Sequence, residues 1–234
     1  LNATAPLPAP PRAPVLAAFE GERLAYGART VFENITLAVR QGERIALLGR
    51  SGAGKSTLIS ALYRRLADAG ARVALVPQDH ALVPQLSVFH NIYMGRLDRH
   101  GAAYNALNLI RPFRREREAV TPFAEELGLA PELMRPVERL SGGQRQRTAV
   151  GRAFFRGGDI LLADEPVSAV DETQARRILE SMAARFSTLV LSLHAVDLAL
   201  ERADRIVGLS AGKVVVDAPT KALTRGDLDG LYAG

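Results

Sequence analysis

Apolar and polar residues alternate from Ile35 to Arg40, the spacing of a strand with one face exposed, and residues 15–48 as a whole read as strands. Arg44 to Leu48 (RIALL) is instead almost continuously apolar, as in a parallel strand buried on both faces. A glycine-rich turn from Gly49 to Gly54 follows, and helical spacing runs from Lys55 to Asp68. Arg72 to Val76 reads as another strand. Between residues 87 and 137 β-branched runs thin out and helical spacing takes over. Turn or break signals at Gly101, Pro112, Pro122, Gly128, Pro131 and Pro136 divide that stretch. It predicts a small helical subdomain, residues 87–157, inserted into an α/β core. Sheet character returns at Asp159 to Asp164, Thr188 to His194 and Arg205 to Leu209, separated by helices over Glu172 to Arg185 and Val196 to Ala203. Strands alternating with helices of this length imply a mostly parallel sheet covered on both faces.

The chain has 234 residues, enough for one substantial α/β domain. No apolar run approaches the ~18 residues of a membrane span, so membrane contact is predicted to be peripheral. Residues 1–14 carry prolines at positions 6, 8, 10, 11 and 14, which suits a flexible or polyproline-like tail rather than a signal peptide. The remainder, 15–234, reads as a single domain. The absence of cysteine excludes disulfides and thiolate metal sites, and fits the cytoplasm. A net charge of +5 suits nucleic acid, anionic lipid or a phosphate ligand, although an arginine-rich surface explains it as well. Only three of the 30 basic residues are lysines, and one of them, Lys55, stands where the chemistry begins.

Gly49-Arg50-Ser51-Gly52-Ala53-Gly54-Lys55-Ser56-Thr57 matches the phosphate-binding P-loop, and it follows a buried strand and opens a helix as that motif requires. Gly49, Gly52 and Gly54 let backbone N–H groups approach phosphates, and the helix N-terminus adds a positive dipole end. Lys55 then reaches the β- and γ-phosphates and Ser56 ligates Mg²⁺. Asp159 to Glu165 is an apolar strand ending in two acids at the edge of the sheet where ligands bind. It resembles a Walker B segment, in which Asp164 holds Mg²⁺ through water and Glu165 polarises the attacking water.

Leu140-Ser141-Gly142-Gly143-Gln144-Arg145-Gln146-Arg147 matches the LSGGQ-type signature of the ATP-binding cassette (ABC) family. Its physics suits phosphate: Ser141 sits at an N-cap, Gly142 and Gly143 expose backbone, and a helix runs from Gln144. An ordinary capped helix start explains Ser141 and one glycine, but not the whole string. The resemblance implies further roles. Gln78 resembles the Q-loop glutamine that contacts Mg²⁺ or water and couples to the membrane partner. Ser168-Ala169-Val170-Asp171 resembles the D-loop, His194 the histidine that contacts the γ-phosphate, and Tyr26 the aromatic that stacks on adenine. His80, His90 and His100 lack metal-ligand spacing and receive no role. The basic run Arg111 to Arg117 suits lipid headgroups or acidic partner loops, with a solvated helix face as the plainer reading.

The resemblance covers about residues 20–220 and implies a P-loop NTPase core with a mostly parallel sheet, an antiparallel β subdomain and an inserted helical subdomain. Leu82 to Val88, Met94 to Leu97, Ala163 to Val167 and Leu193 to Leu209 are similar to phosphonate-type importer ATPases in particular. This implies an ATPase using ATP and Mg²⁺, peripheral to the cytoplasmic face of the inner membrane. Its implied partners are a second cassette in a head-to-tail homodimer, integral membrane permease subunits and a separate solute-binding protein. One departure stands out. Gln78 follows Lys55 by 23 positions, a clearly shorter stretch than most members have, so the antiparallel subdomain is expected to be shortened. A soluble ABC ATPase acting on nucleic acid or ribosomes is the rival reading, and it rests on the basic charge alone. A cassette that binds ATP without turnover is a third. The sequence does not identify the solute.

Overall fold

The computed structural model describes residues 13–232, so the predicted tail lies outside the described residues except for Ala13 and Pro14. Two long strands, β1 (Val15–Tyr26) and β2 (Arg29–Arg40), form an antiparallel ribbon. A second sheet contains β3 (Arg44–Leu48), β4 (Val73–Val76), β5 (Ile160–Asp164), β6 (Thr188–Ser192), β7 (Arg205–Ser210) and β8 (Lys213–Pro219). Its order is β4-β5-β6-β3-β7-β8, and all neighbours are parallel except the β7–β8 pair.

The side chains of the central strands divide the interior in two. Ile45 and Leu47 of β3, Ile160 and Leu162 of β5 and Val190 of β6 point into one apolar cluster, capped by α1 (Lys55–Asp68) and the β1–β2 ribbon. Ala46 and Leu48, Leu161 and Ala163, and Leu189 and Leu191 point into the other. Helices α2 (Val88–Tyr93), α4 (Arg114–Glu126), α5 (Gly142–Arg156), α6 (Glu172–Arg185) and α7 (Val196–Arg202) supply residues to that second cluster. Successive side chains on a strand face opposite ways, so continuous apolar runs are what a sheet covered on both faces needs. The short helix α3 (Ala102–Ile110) lies between α2 and α4 in sequence, and α8 (Arg225–Asp229) closes the described chain.

The ribbon is tied to α1 by more than apolar packing. The Arg65 guanidinium lies 2.6 Å from the Glu22 carboxylate and 4.3 Å from the centre of the Phe19 ring. Between Lys55 and Gln78 the chain forms α1 and β4 alone, so the antiparallel ribbon has two strands among the described residues.

Three differences from the sequence-based expectations have physical causes. Pro122 does not break the chain; it sits inside α4. Val120, Ala124 and Leu127 are buried around it, and that apolar stripe outweighs the missing backbone donor and the local clash of the pyrrolidine ring. Strand β6 ends at Ser192, so His194 lies two residues past the ladder rather than closing it. Strand β8 and helix α8 carried no prediction: β8 is a half-exposed antiparallel edge and α8 is five residues long.

Because Pro122 is exposed, replacing it costs no core packing. Pro122→Ala restores the N–H that bonds the Glu118 carbonyl and removes a residue that costs a helix interior about 3 kcal/mol. The urea midpoint is expected to rise by the equivalent of about 1–3 kcal/mol. A fall would mean that the bend at Pro122 is needed for α4 to pack.

Candidate active site

The site begins where β3 ends. Gly54 caps α1 with φ 107°, a conformation that side chains rarely adopt. A Cβ at this position would also stand 2.6 Å from the Phe32 ring, so both backbone and space demand glycine. Lys55 is 5% exposed, and its ammonium donates to the Gly49 carbonyl at 2.7 Å and the Arg50 carbonyl at 3.1 Å. Burial pushes its pKa below the ordinary lysine value, while the nearby Glu165 and Asp164 carboxylates pull the other way. Ser56 Oγ donates to Gln78 Oε1 at 3.1 Å, joining the first turn of α1 to the loop after β4.

Parallel register brings the two acids to the same edge. Asp164 at the end of β5 pairs with Ser192 at the end of β6, which in turn pairs with Leu47 of β3. The buried Ser192 hydroxyl donates to Asp164 Oδ1 at 2.5 Å and accepts from the Glu165 N–H at 2.9 Å. Glu165 itself has φ 51°, a left-handed conformation that costs a non-glycine residue of order 1–3 kcal/mol. That turn aims its carboxylate at His194, whose Nε2 is 2.5 Å from Glu165 Oε1.

Tyr26, Ser51, Gly52, Gly54, Lys55, Ser56, Thr57, Gln78 and Glu165 line one open cavity of about 660 Å³. This falls in the range of small-molecule sites. Tyr26 is 74% exposed at its rim. Gly49 and Asp164 do not line it, and His194 borders an adjoining cavity of about 400 Å³ that shares Glu165.

The remaining predicted residues stand elsewhere. Ser141 caps α5 in a reciprocal box with Gln144, whose backbone N–H it receives at 3.3 Å while its own N–H donates to Gln144 Oε1 at 2.9 Å. Gly142 and Gly143 open that helix, and a Cβ at Gly143 would come within 2.7 Å of the Ala169 carbonyl. Asp171 caps α6, accepting from Gln174 N–H at 2.9 Å. None of these five lines the Lys55 cavity.

Sequence reading missed the groups that hold these parts together. Gln146 is 1% exposed; its amide donates to the Glu165 carbonyl at 2.7 Å and to Ser168 Oγ at 3.0 Å, and its oxygen accepts from Ala169 N–H at 3.0 Å. A polar residue three, four and seven positions before the apolar Ala149, Val150 and Ala153 was the available signal. Arg152 of α5 donates to the carbonyls of His80 and Ala81 at 2.6 and 2.5 Å, clamping two successive left-handed residues just after Gln78. Arg29, Thr30, Val31, Ala211 and Gly212 also line the cavity, from the start of β2 and the β7–β8 turn, and nothing in their types announces it.

The sequence pattern of the ABC transporter family matches residues 32–168. The chain belongs to the ABC transporter family. As an ATP-binding cassette of that family it is an ATPase. It is 37% identical over 91% of its length to the phosphonates import ATP-binding protein PhnC of Anaeromyxobacter dehalogenans, and spans only 47% of that longer protein. It is 36% identical to PhnC of Pseudomonas putida, covering 91% of this chain and 88% of the relative. A dimeric bacterial ABC transporter cassette superposes with a TM-score of 0.70 at 22% identity, over 87% of this chain and 98% of that one. A dimeric post-hydrolysis state of the same cassette, bound to ADP and Pi, gives 0.69 at 21% identity over the same shares. At those identities the structures speak for the fold of the cassette.

Ser192 is the hub of the acid pair in this ABC cassette. Ser192→Ala leaves the buried Asp164 carboxylate without its donor and the Glu165 N–H without an acceptor. The expected loss is about 1–3 kcal/mol of stability, read as a lowered urea midpoint. An unchanged midpoint would mean that water replaces the hydroxyl at no cost.

Proposed function

We propose that this cassette hydrolyses ATP to drive an importer for phosphonates or a related oxyanion, bound at the cytoplasmic face of the inner membrane. The convergence of Lys55, Ser56, Gln78 and Glu165 on one cavity carries the catalytic part of this reading. The names of the relatives, phosphonates import ATP-binding proteins, support the transport part. The permease and the solute-binding protein are separate chains in this reading.

Each residue takes a role from its position. Tyr26 offers the adenine a stacking face. Gly49, Ser51, Gly52, Gly54 and Thr57 bring backbone donors to the phosphates at the N-terminus of α1. Lys55 Nζ exchanges two loop carbonyls for phosphate oxygens. Ser56 Oγ and Gln78 Oε1, 3.1 Å apart, and the buried Asp164 carboxylate are hard oxygen donors of the kind that suits Mg²⁺. Among the described residues no cluster of three His, Cys, Asp or Glu side chains forms a closed cage. An Mg²⁺ ion held by Ser56, Gln78 and Asp164 would supply charge neutralisation for the transferring phosphoryl group. Glu165 orients the attacking water and draws on its proton, and His194 holds the Glu165 carboxylate in place.

The signature end of α5 is the part that does not reach this cavity. Gly142 and Gly143 present backbone donors at a helix N-terminus that the Ser141–Gln144 box fixes, outside the lining of that cavity, with Asp171 capping α6. A head-to-tail pair of copies brings the α5 end of one to the cavity of the other, so one chain holds half of each site. The rival nucleic-acid reading has only the net charge of +5 behind it, and no nucleic-acid partner is expected.

Uptake of a labelled phosphonate, in cells lacking the gene, tests the proposal. Uptake is expected to return with the wild-type gene but with neither Lys55→Ala nor Glu165→Gln, although purified Glu165→Gln still binds ATP. Unchanged uptake in the deletion strain would remove the solute assignment. Full rescue by Glu165→Gln would remove the role given to that carboxylate.

A further inference from the structure

Helix α3 is built inside out. Its inward side is polar: Tyr104 donates to Glu116 Oε1 at 2.9 Å, and Tyr93 donates to Asn105 Oδ1 at 2.7 Å. Asn105 donates to the carbonyls of Leu97 and His100, and fully buried Asn108 accepts the Phe113 N–H at 2.8 Å. Its outward side is apolar. Ala103, Ala106, Leu107 and Ile110 recur at the i, i+3, i+4, i+7 spacing of one helix face, and all four are exposed. Leu107 is 58% and Ile110 82% exposed, while Leu97 just before the helix is 40% exposed. A helix held to its own protein by hydrogen bonds, with its apolar stripe turned out, has the pattern of a surface that meets something apolar.

The charges around the stripe narrow the choice of partner. Arg99 and Arg111 flank α3, and Arg114, Arg115 and Arg117 open α4; all five are exposed. The only acid from residue 99 to residue 117 is Glu116, which is buried and satisfied by Tyr104. Arg114 is paired with Glu118 at 2.7 Å, and the other four exposed arginines form no salt bridge among the described residues. An apolar stripe with arginines at its margins is the composition of a helix that lies in a membrane interface. The cytoplasmic leaflet carries negative potential and attracts such cations. Cytoplasmic loops of membrane proteins are enriched in Lys and Arg, and would repel them.

We propose that the outward stripe of α3, with Leu97, rests on the anionic lipid surface of the membrane, its apolar side chains at the acyl boundary and Arg99, Arg111 and Arg115 among the headgroups. Leu97 also borders a groove shared with Pro77, the neighbour of Gln78, so this end of the surface adjoins the Gln78 loop that is taken to meet the permease. The orientation therefore rests on the transport reading, whereas lipid affinity itself does not. A stripe of this size gives reversible binding that aids docking of the cassette and does not anchor it alone.

Flotation of the purified chain with vesicles tests this, using phosphatidylcholine alone and phosphatidylcholine mixed with phosphatidylglycerol, and ATP turnover measured on the same samples. Binding is expected with the mixed vesicles, weakened by salt, and reduced roughly tenfold by L107Q/I110Q and likewise by R111Q/R115Q. Solution ATP turnover is expected to stay at the wild-type level in both variants, which also reports that they are folded. Absence of flotation would overturn the proposal. So would flotation that ignores L107Q/I110Q, since plain electrostatic adsorption then explains it. Loss of permease co-purification in L107Q/I110Q without any vesicle binding would assign the stripe to the permease instead. Vesicle binding of the expected kind in a chain without ATP turnover would uphold the lipid surface and count against the catalytic reading alone.

Discussion

The register of three parallel strand ends is the constraint on which the site depends. Leu47, Ser192 and Asp164 stand side by side across β3, β6 and β5, so the P-loop and the acid pair emerge at one edge of the sheet. A one-residue slip would turn each strand's apolar set over and send the acids into a core. The two apolar clusters on either face hold that register, and the Ser192 hydroxyl converts it into local geometry by binding Asp164 and the strained Glu165 backbone together.

A second set of bonds links this edge to the inserted helices. Gln146 joins the signature helix to the loop from Glu165 to Ala169, and Arg152, two turns further along α5, holds the loop after Gln78. One rigid helix therefore touches both the loop that carries the acid and the loop proposed to meet the membrane partner. Rotation of α5 on completion of a composite site would shift both loops together, which is a physical route from nucleotide to transport.

How much of this was legible in the sequence depended on which force shapes each part. Buried strands and α1 were readable because continuous apolar runs and helical spacing are imposed by burial itself; β3, α1 and α6 begin and end where the pattern changes. The P-loop was readable because phosphate binding dictates glycine positions. Pro122 misled because its rule is local and the stripe around it is tertiary. Strand β8 alternates between exposed and half-buried positions, but exposed Val215 blurs that alternation in the sequence. Ser192, Gln146 and Arg152 act through distances of 19 to 72 residues along the chain, and a single sequence does not carry such pairings. The surroundings of α3 were half visible, in the basic run Arg111 to Arg117 read as suiting lipid headgroups or acidic partner loops, with a solvated helix face as the plainer reading; the outward apolar face of α3 emerged only once the inward hydrogen bonds of Tyr104, Asn105 and Asn108 were known.

The central claim is that one chain holds half of each ATP site, and mixing two inactive variants tests it most directly. Lys55→Ala removes the P-loop lysine, and Ser141→Arg blocks the signature end of α5, so neither variant alone should turn over ATP. In a mixed head-to-tail dimer, one of the two sites combines the intact P-loop of one chain with the intact signature of the other. Turnover by the mixture, absent from either variant alone, is the predicted result. A mixture that stays inactive, or a Ser141→Arg protein that retains full activity, would contradict the account.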